Sequence, residues 1–330
     1  MRNPLLDLYR GVCILFVILG HTAFLPDGLR NVIYSFHMPA FLILSGYLFN
    51  QNKVVIISDE IRLKFKRLVV PAWVMGLICG LPFIVLLILG KAGVSPTDFL
   101  QRFYGTITGY PSSSKTFIST PLWFLFTLFS IEVMAIIVRG FNYKLTPIVI
   151  FIIGCVGAYL STLSLDVVPF NFFVSMTCCF FFAVGMFLKN ANIKTTNIIN
   201  ISTIMIFCIL AMCQYGGKMD LSQNIISSNN HILMNIIIAL SGSYSVLLLC
   251  KLINNKKIII ALSWFGINTL PIIGFDYYAN TISAYVFKLT PFSDAWFGIF
   301  ILKIALLSSL LFILSKYIPK LNILIQGKST

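Results

Sequence analysis

Runs of about twenty apolar residues recur along this chain, and they constrain the fold before any motif does. Ten are found, at 8–25, 32–49, 68–90, 121–138, 145–162, 169–188, 198–215, 232–250, 258–276 and 296–315. In hydrocarbon, backbone polar groups must be bonded within the protein, so runs of this length predict helices that cross a bilayer. The expected fold class is an all-α integral membrane protein, a polytopic bundle with one transmembrane helix per run. The whole chain, 1–330, reads as a single transmembrane domain with no soluble domain and no internal repeat. Its longest connection, about 91–120, is polar and carries Gly, Ser and Pro.

Composition agrees. The chain is 58% hydrophobic and 10% charged, with a mean hydropathy of +0.93, which excludes an ordinary soluble domain. A net charge of +14 invites a nucleic-acid reading, but Lys and Arg fall in short clusters between the apolar runs. That pattern suits membrane lipids with an anionic inner leaflet, and no nucleic-acid partner is expected. With the N-terminus inside, 17 basic residues fall on the cytoplasmic side and six outside (Arg30, Lys91, Arg102, Lys115, Lys218, Lys288), with Lys303 inside the last run. Both termini are therefore expected in the cytoplasm. The eight cysteines sit in apolar runs without C-x2-C spacing and read as small fillers. The first run has no small-x-small cleavage site and is interrupted by His21, so a retained span is expected.

Against this background a few polar residues stand out. Arg10 and His21 are eleven residues apart, which is three helical turns plus about 20° and about 16 Å of rise. They share one stripe of the first helix, and ionisable groups inside a span are costly enough to suggest a site. His37 lies in the outer part of the second run, and the basic segment IRLKFKRLVVP, 61–71, on the opposite side.

The pattern Arg10-(ten residues)-His21 followed by SFHMPAFLILSGYLF at 35–49 resembles the start of the membrane-bound acyltransferase 3 family. Members move acyl groups, most often acetyl, onto sugars of cell-surface polysaccharides and glycolipids. Three later stretches resemble it too: the basic segment before Pro71, Pro121-Leu-Trp-Phe-Leu with Glu132 beyond it, and Gly266-Ile-Asn-Thr-Leu-Pro running on to Asp276. The resemblance implies that His21 and Arg10 are essential. It also implies that Arg62, Lys64 and Arg67 meet the phosphates of the acyl donor, acetyl-CoA. Lys64 stands where the family often has arginine and lacks its planar fork. Ile273 and Asp276 stand where the family usually has Tyr and His.

Each residue has two readings. His21 is either a general base toward a sugar hydroxyl or a histidine satisfied between helices. Arg10 either guides the donor or pairs with Asp7 and anchors the helix at the interface. The cluster 62–67 is either a donor entrance or an ordinary positive-inside loop. Trp123 belongs to the family motif or to an aromatic belt, and Glu132 is expected to partner a buried cation. Asp276 either orients His21 or His37, as a third group does in catalytic triads, or is solvated at a span end. His37 and Asn268 are taken as substrate-facing or structural polar groups.

The sequence is thus read as an O-acyltransferase of the bacterial cytoplasmic membrane. Its acceptor would be a surface polysaccharide or lipid-linked sugar, and no metal is implied. The rival is a transporter or flippase of a lipid-linked sugar. Repeated halves with broken helices would favour that rival, and neither is evident in the sequence.

Overall fold

The computed structural model describes residues 3–53, 56–90, 95–112, 114–117, 120–163, 169–191, 196–213, 217–229 and 231–328. Arg2, Lys91 and Lys194 of the charge count lie outside them. Among the described residues the regular structure is helical, and the β pairing is an isolated bridge between Asp220 and Ile225. In chain order the helices are α1 Pro4–Gly20, α2 Asp27–Leu48, α3 Ile57–Ile88, α4 Pro96–Thr108, α5 Trp123–Phe141 and α6 Thr146–Leu160. There follow α7 Phe172–Asn190, α8 Asn197–Cys213, α9 Ile232–Leu252, α10 Lys256–Ile267, α11 Thr269–Lys288, α12 Trp296–Tyr317 and α13 Pro319–Ile325.

Six are long and apolar enough to cross a membrane: α3, α5, α6 together with the 3₁₀ turn that continues it to Leu163, α7 with the 3₁₀ turn that precedes it from Pro169, α9 and α12; α10 and α11 make a seventh if that bent pair counts as one span. This is a multi-pass membrane protein with fewer clear spans than the apolar runs suggested. The difference lies partly in α1 and α8, each only 17 residues long. It also lies in α2, whose run is diluted by Asn31, Tyr34, Ser35 and His37.

The expected ninth span, 258–276, is broken. α10 and α11 meet at Asn268 with a bend of 82°. The cause is local. Pro271 has no N–H to donate to Ile267 and fits only the first turn of a new helix. The Asn268 amide donates to the Trp264 carbonyl at 2.8 Å and closes the end of α10. Asp276 consequently lies inside α11, 1% exposed, rather than solvated at the end of a span.

The 91–120 connection also contains more structure than expected. Ser95 and Asp98 form a reciprocal capping box, Pro96 takes the first turn, and Gly109 ends α4 at φ 76°. The Trp73 indole donates to Ile107 at 3.0 Å and docks α4 against α3.

Small residues set the packing of the centre. Added side-chain atoms at Gly46 or Gly185 would run into the facing backbone at Phe182 and Ile43, so α2 and α7 touch backbone to backbone. Gly11 and Gly266 bring α1 and α10 equally close, at Leu262 and Asp7. Cys13, Ile14, Ile18, Ala40, Leu42 and Phe182 fill the core between these contacts.

Candidate active site

α1 stops at Gly20, and the carbonyls of a last helical turn need partners from elsewhere. The Ile18 carbonyl accepts from the Thr22 hydroxyl at 2.8 Å and from the Lys303 ammonium, on α12, at 2.9 Å. A cation there also complements the negative end of the helix dipole. Lys303 is fully buried and forms an ion pair of 2.9 Å with Asp276 of α11. One turn further along α11, Asn280 accepts the Ala23 N–H at 2.9 Å. From α2, Arg30 donates to the Thr22 and Leu25 carbonyls at 3.4 and 3.2 Å. The α1–α2 turn is thus tied to α2, α11 and α12, and this holds Phe24 at φ 58°, a value unusual for a bulky residue.

His21 sits in that turn. Its N–H still bonds the Val17 carbonyl at 3.1 Å, so it keeps the helical register that relates it to Arg10. Its Nδ1 lies 3.3 Å from the Tyr34 hydroxyl. Tyr34 and His37 are three residues apart on α2 and share a face. The Tyr34 ring lies between the two imidazoles, with centroids 5.6 Å from His21 and 5.1 Å from His37. His37 is buried and its Nδ1 lies 2.8 Å from the Ile33 carbonyl. A carbonyl only accepts, so Nδ1 of His37 donates, and the neutral ring keeps its lone pair on Nε2.

Because α2 runs back alongside α1, its C-terminus lies at the opposite end of the bundle. There the carbonyls of Phe49 and Asn50 accept from Lys189 (2.6 Å) and Arg139 (2.9 Å). Arg139 is buried and paired with Glu60, also buried, which Lys53 approaches at 3.5 Å. Glu60, Lys64 and Arg67 follow one another at four and three residues, so they line one stripe of α3. Lys64 turns toward α5 and pairs with Glu132 at 2.6 Å. Arg62 and Arg67 are exposed. A cavity of about 650 Å³ opens at this end, lined by Gln51, Asn52, Lys53, Ile57, Arg139 and Tyr143.

The remaining sequence-derived residues are placed as follows. Arg10 is half-buried and pairs with Asp7 at 3.6 Å. Trp123 is buried at the start of α5 and borders a space of about 20 Å³, so it does not belong to a lipid-facing belt. Asn268 closes α10 and accepts from Gln326 at 2.9 Å. The structure therefore brings His21, Tyr34 and His37 together, and ties Asp276 to Lys303 just behind them. Arg62, Lys64, Arg67 and Glu132 are elsewhere. Sequence reasoning passed over Tyr34, Asn280, Glu60 and Arg139, and left Lys303 without a role. Two of them carried a readable signal: Lys303 is a lone cation in an apolar run, and Tyr34 lies i, i+3 from His37.

A family model described as an acyltransferase domain matches residues 3–315. No curated protein and no solved structure matches the chain.

Proposed function

This chain belongs to the acyltransferase 3 family, and from that premise we propose that it carries acetyl groups from acetyl-CoA to a hydroxyl of a cell-surface polysaccharide or lipid-linked sugar. It is an acyl-transfer enzyme with several membrane passes; donor, acceptor and membrane are the proposal. The membrane is the bacterial cytoplasmic membrane, with both termini inside and the α1–α2 turn facing out. The observation that carries this reading is the cluster His21–Tyr34–His37 at one end of the bundle, with exposed cations of α3 at the other.

The CoA phosphates dock at Arg62 and Arg67, whose guanidinium groups suit bidentate contacts. Lys64 is engaged by Glu132 and, neutralised by it, makes no direct contact. The pantetheine arm passes along the Arg10–His21 stripe. At its far end His21 takes the proton of the sugar hydroxyl as its oxygen attacks the thioester carbonyl. The C–S bond breaks as the O–acyl bond forms, and the departing thiolate takes the proton from His21. His37, with its lone pair on Nε2, accepts a hydrogen bond from the acceptor sugar. Asp276, Glu132, Trp123 and Asn268 support the architecture rather than touch the reacting atoms.

The bend at Asn268 favours the rival reading, because discontinuous helices line the pathways of many transporters. Chemistry separates the two. Purified protein in nanodiscs should release free CoA from acetyl-CoA only when surface glycan is supplied. His21→Gln keeps hydrogen-bonding capacity but is no base at neutral pH, so it should be as inactive as His21→Ala. A positioned general base contributes about 10²–10⁴-fold, well within measurement. Near-normal turnover in His21→Gln would remove the mechanism, and glycan translocation without CoA release would establish the transporter.

A further inference from the structure

An imidazole can act as a base only through a nitrogen that is both unprotonated and open to its substrate. In His21 the Nδ1 is already occupied by the Tyr34 hydroxyl at 3.3 Å. A phenol both donates and accepts, so that contact is compatible with two tautomers. If Tyr34 donated, the His21 lone pair would be spent on it and Nε2 would carry the proton. If Nδ1–H donates to the phenolic oxygen, the lone pair lies on Nε2, the nitrogen that makes no hydrogen bond among the described residues.

We propose that Tyr34 is the positioning residue of His21, its oxygen accepting the Nδ1–H so that Nε2 is kept as the base. This rests on the reading of His21 as the general base. The carboxylate that the sequence offered for that task, Asp276, is instead engaged with Lys303 at 2.9 Å. Tyr34 is well held for the role. It is half-buried and wedged between the two imidazoles at 5.6 and 5.1 Å. On the far side of His21 the α1–α2 turn is tied down by Lys303, Asn280 and Arg30. The backbone that carries His21 is thus fixed, and the Tyr34 ring is packed against both imidazoles. A neutral acceptor also stabilises the imidazolium formed during transfer, because a charged donor strengthens the hydrogen bond.

The chain has three histidines, His21, His37 and His231, so the tautomer can be read directly. Full-length protein labelled with ¹⁵N in its imidazoles is placed in nanodiscs, and His37→Gln and His231→Gln assign the signals. In the neutral state His21 should show a protonated Nδ1 and a bare Nε2. Tyr34→Phe keeps the ring but should abolish that preference. It should also lower kcat about tenfold, the scale of one lost hydrogen bond, with KM for acetyl-CoA unchanged. A bare Nδ1 in the native protein overturns the proposal, and that spectrum needs no variant. A tautomer indifferent to Tyr34→Phe, or a kcat that does not fall with it, overturns it as well. Because the spectrum needs neither donor nor acceptor, failure here is distinguishable from failure of the base itself, which would appear as an active His21→Gln.

Discussion

Lys64 and Arg67 differ by three positions and share a stripe of α3, yet only Lys64 is turned onto a carboxylate. Glu132 is 8% exposed, and the pair compensates for removing it from water. Lys64→Met would leave that carboxylate buried and unpaired, a change that costs about 3 kcal/mol. It should lower the unfolding temperature in detergent; an unchanged transition would mean that the pair contributes nothing. Arg62→Gln and Arg67→Gln leave no buried charge behind and should unfold normally. Their effect should appear in donor titrations, where losing one charge-assisted contact raises KM for acetyl-CoA about tenfold. Unaltered CoA binding by the double variant would refute the entrance. One basic segment thus holds two kinds of cation, and helical register decides which is which.

Elements are joined here by buried charge as well as by apolar packing. Lys303 and Asp276 link α11 and α12, and Lys303 also closes the last turn of α1. Lys303→Met alone strands Asp276 in the core and should destabilise the protein by about 3–5 kcal/mol. Replacing both members, in Asp276→Leu with Lys303→Met, removes the stranded charge and should restore much of the unfolding temperature. Turnover should stay low in the double variant, because the turn that carries His21 then loses the Lys303 contact to the Ile18 carbonyl and keeps only its ties to Thr22, Asn280 and Arg30. Full activity in the double variant would show that the α1 terminus positions itself without the pair. The bend at Asn268 matters at the same scale, since an unbroken helix over 258–276 would leave Asp276 at its outer end. By starting a new helix at Thr269 the chain brings Asp276 to Lys303 and Asn280 to Ala23.

For the whole molecule, the asymmetry of Lys and Arg predicts an orientation that reporters can test. A fusion after Thr330 should be active only in the cytoplasm, and one inserted in the 91–120 connection only outside. The reverse pattern would separate the histidine cluster from its proposed acceptor side. Much of this protein followed from the sequence alone. Long apolar runs dictate membrane helices because only helices and closed barrels satisfy the backbone in lipid, and runs of about twenty residues are too long for barrel strands. The Arg10–His21 spacing places both on one stripe because helical periodicity is local, and four separated motifs carried the family, which a match over 3–315 bears out. Partnership was not legible in this way. That Asp276 answers to Lys303, Lys64 to Glu132, Glu60 to Arg139 and His21 to Tyr34 depends on which helix faces pack together. Those faces are selected by backbone approaches such as Gly11 to Leu262 and Gly46 to Phe182. Hydropathy registers how apolar a run is but not its azimuth toward a neighbour tens or hundreds of residues away. The tertiary structure alone therefore decided which charges are neutralised in the core and which hydroxyl meets the imidazole.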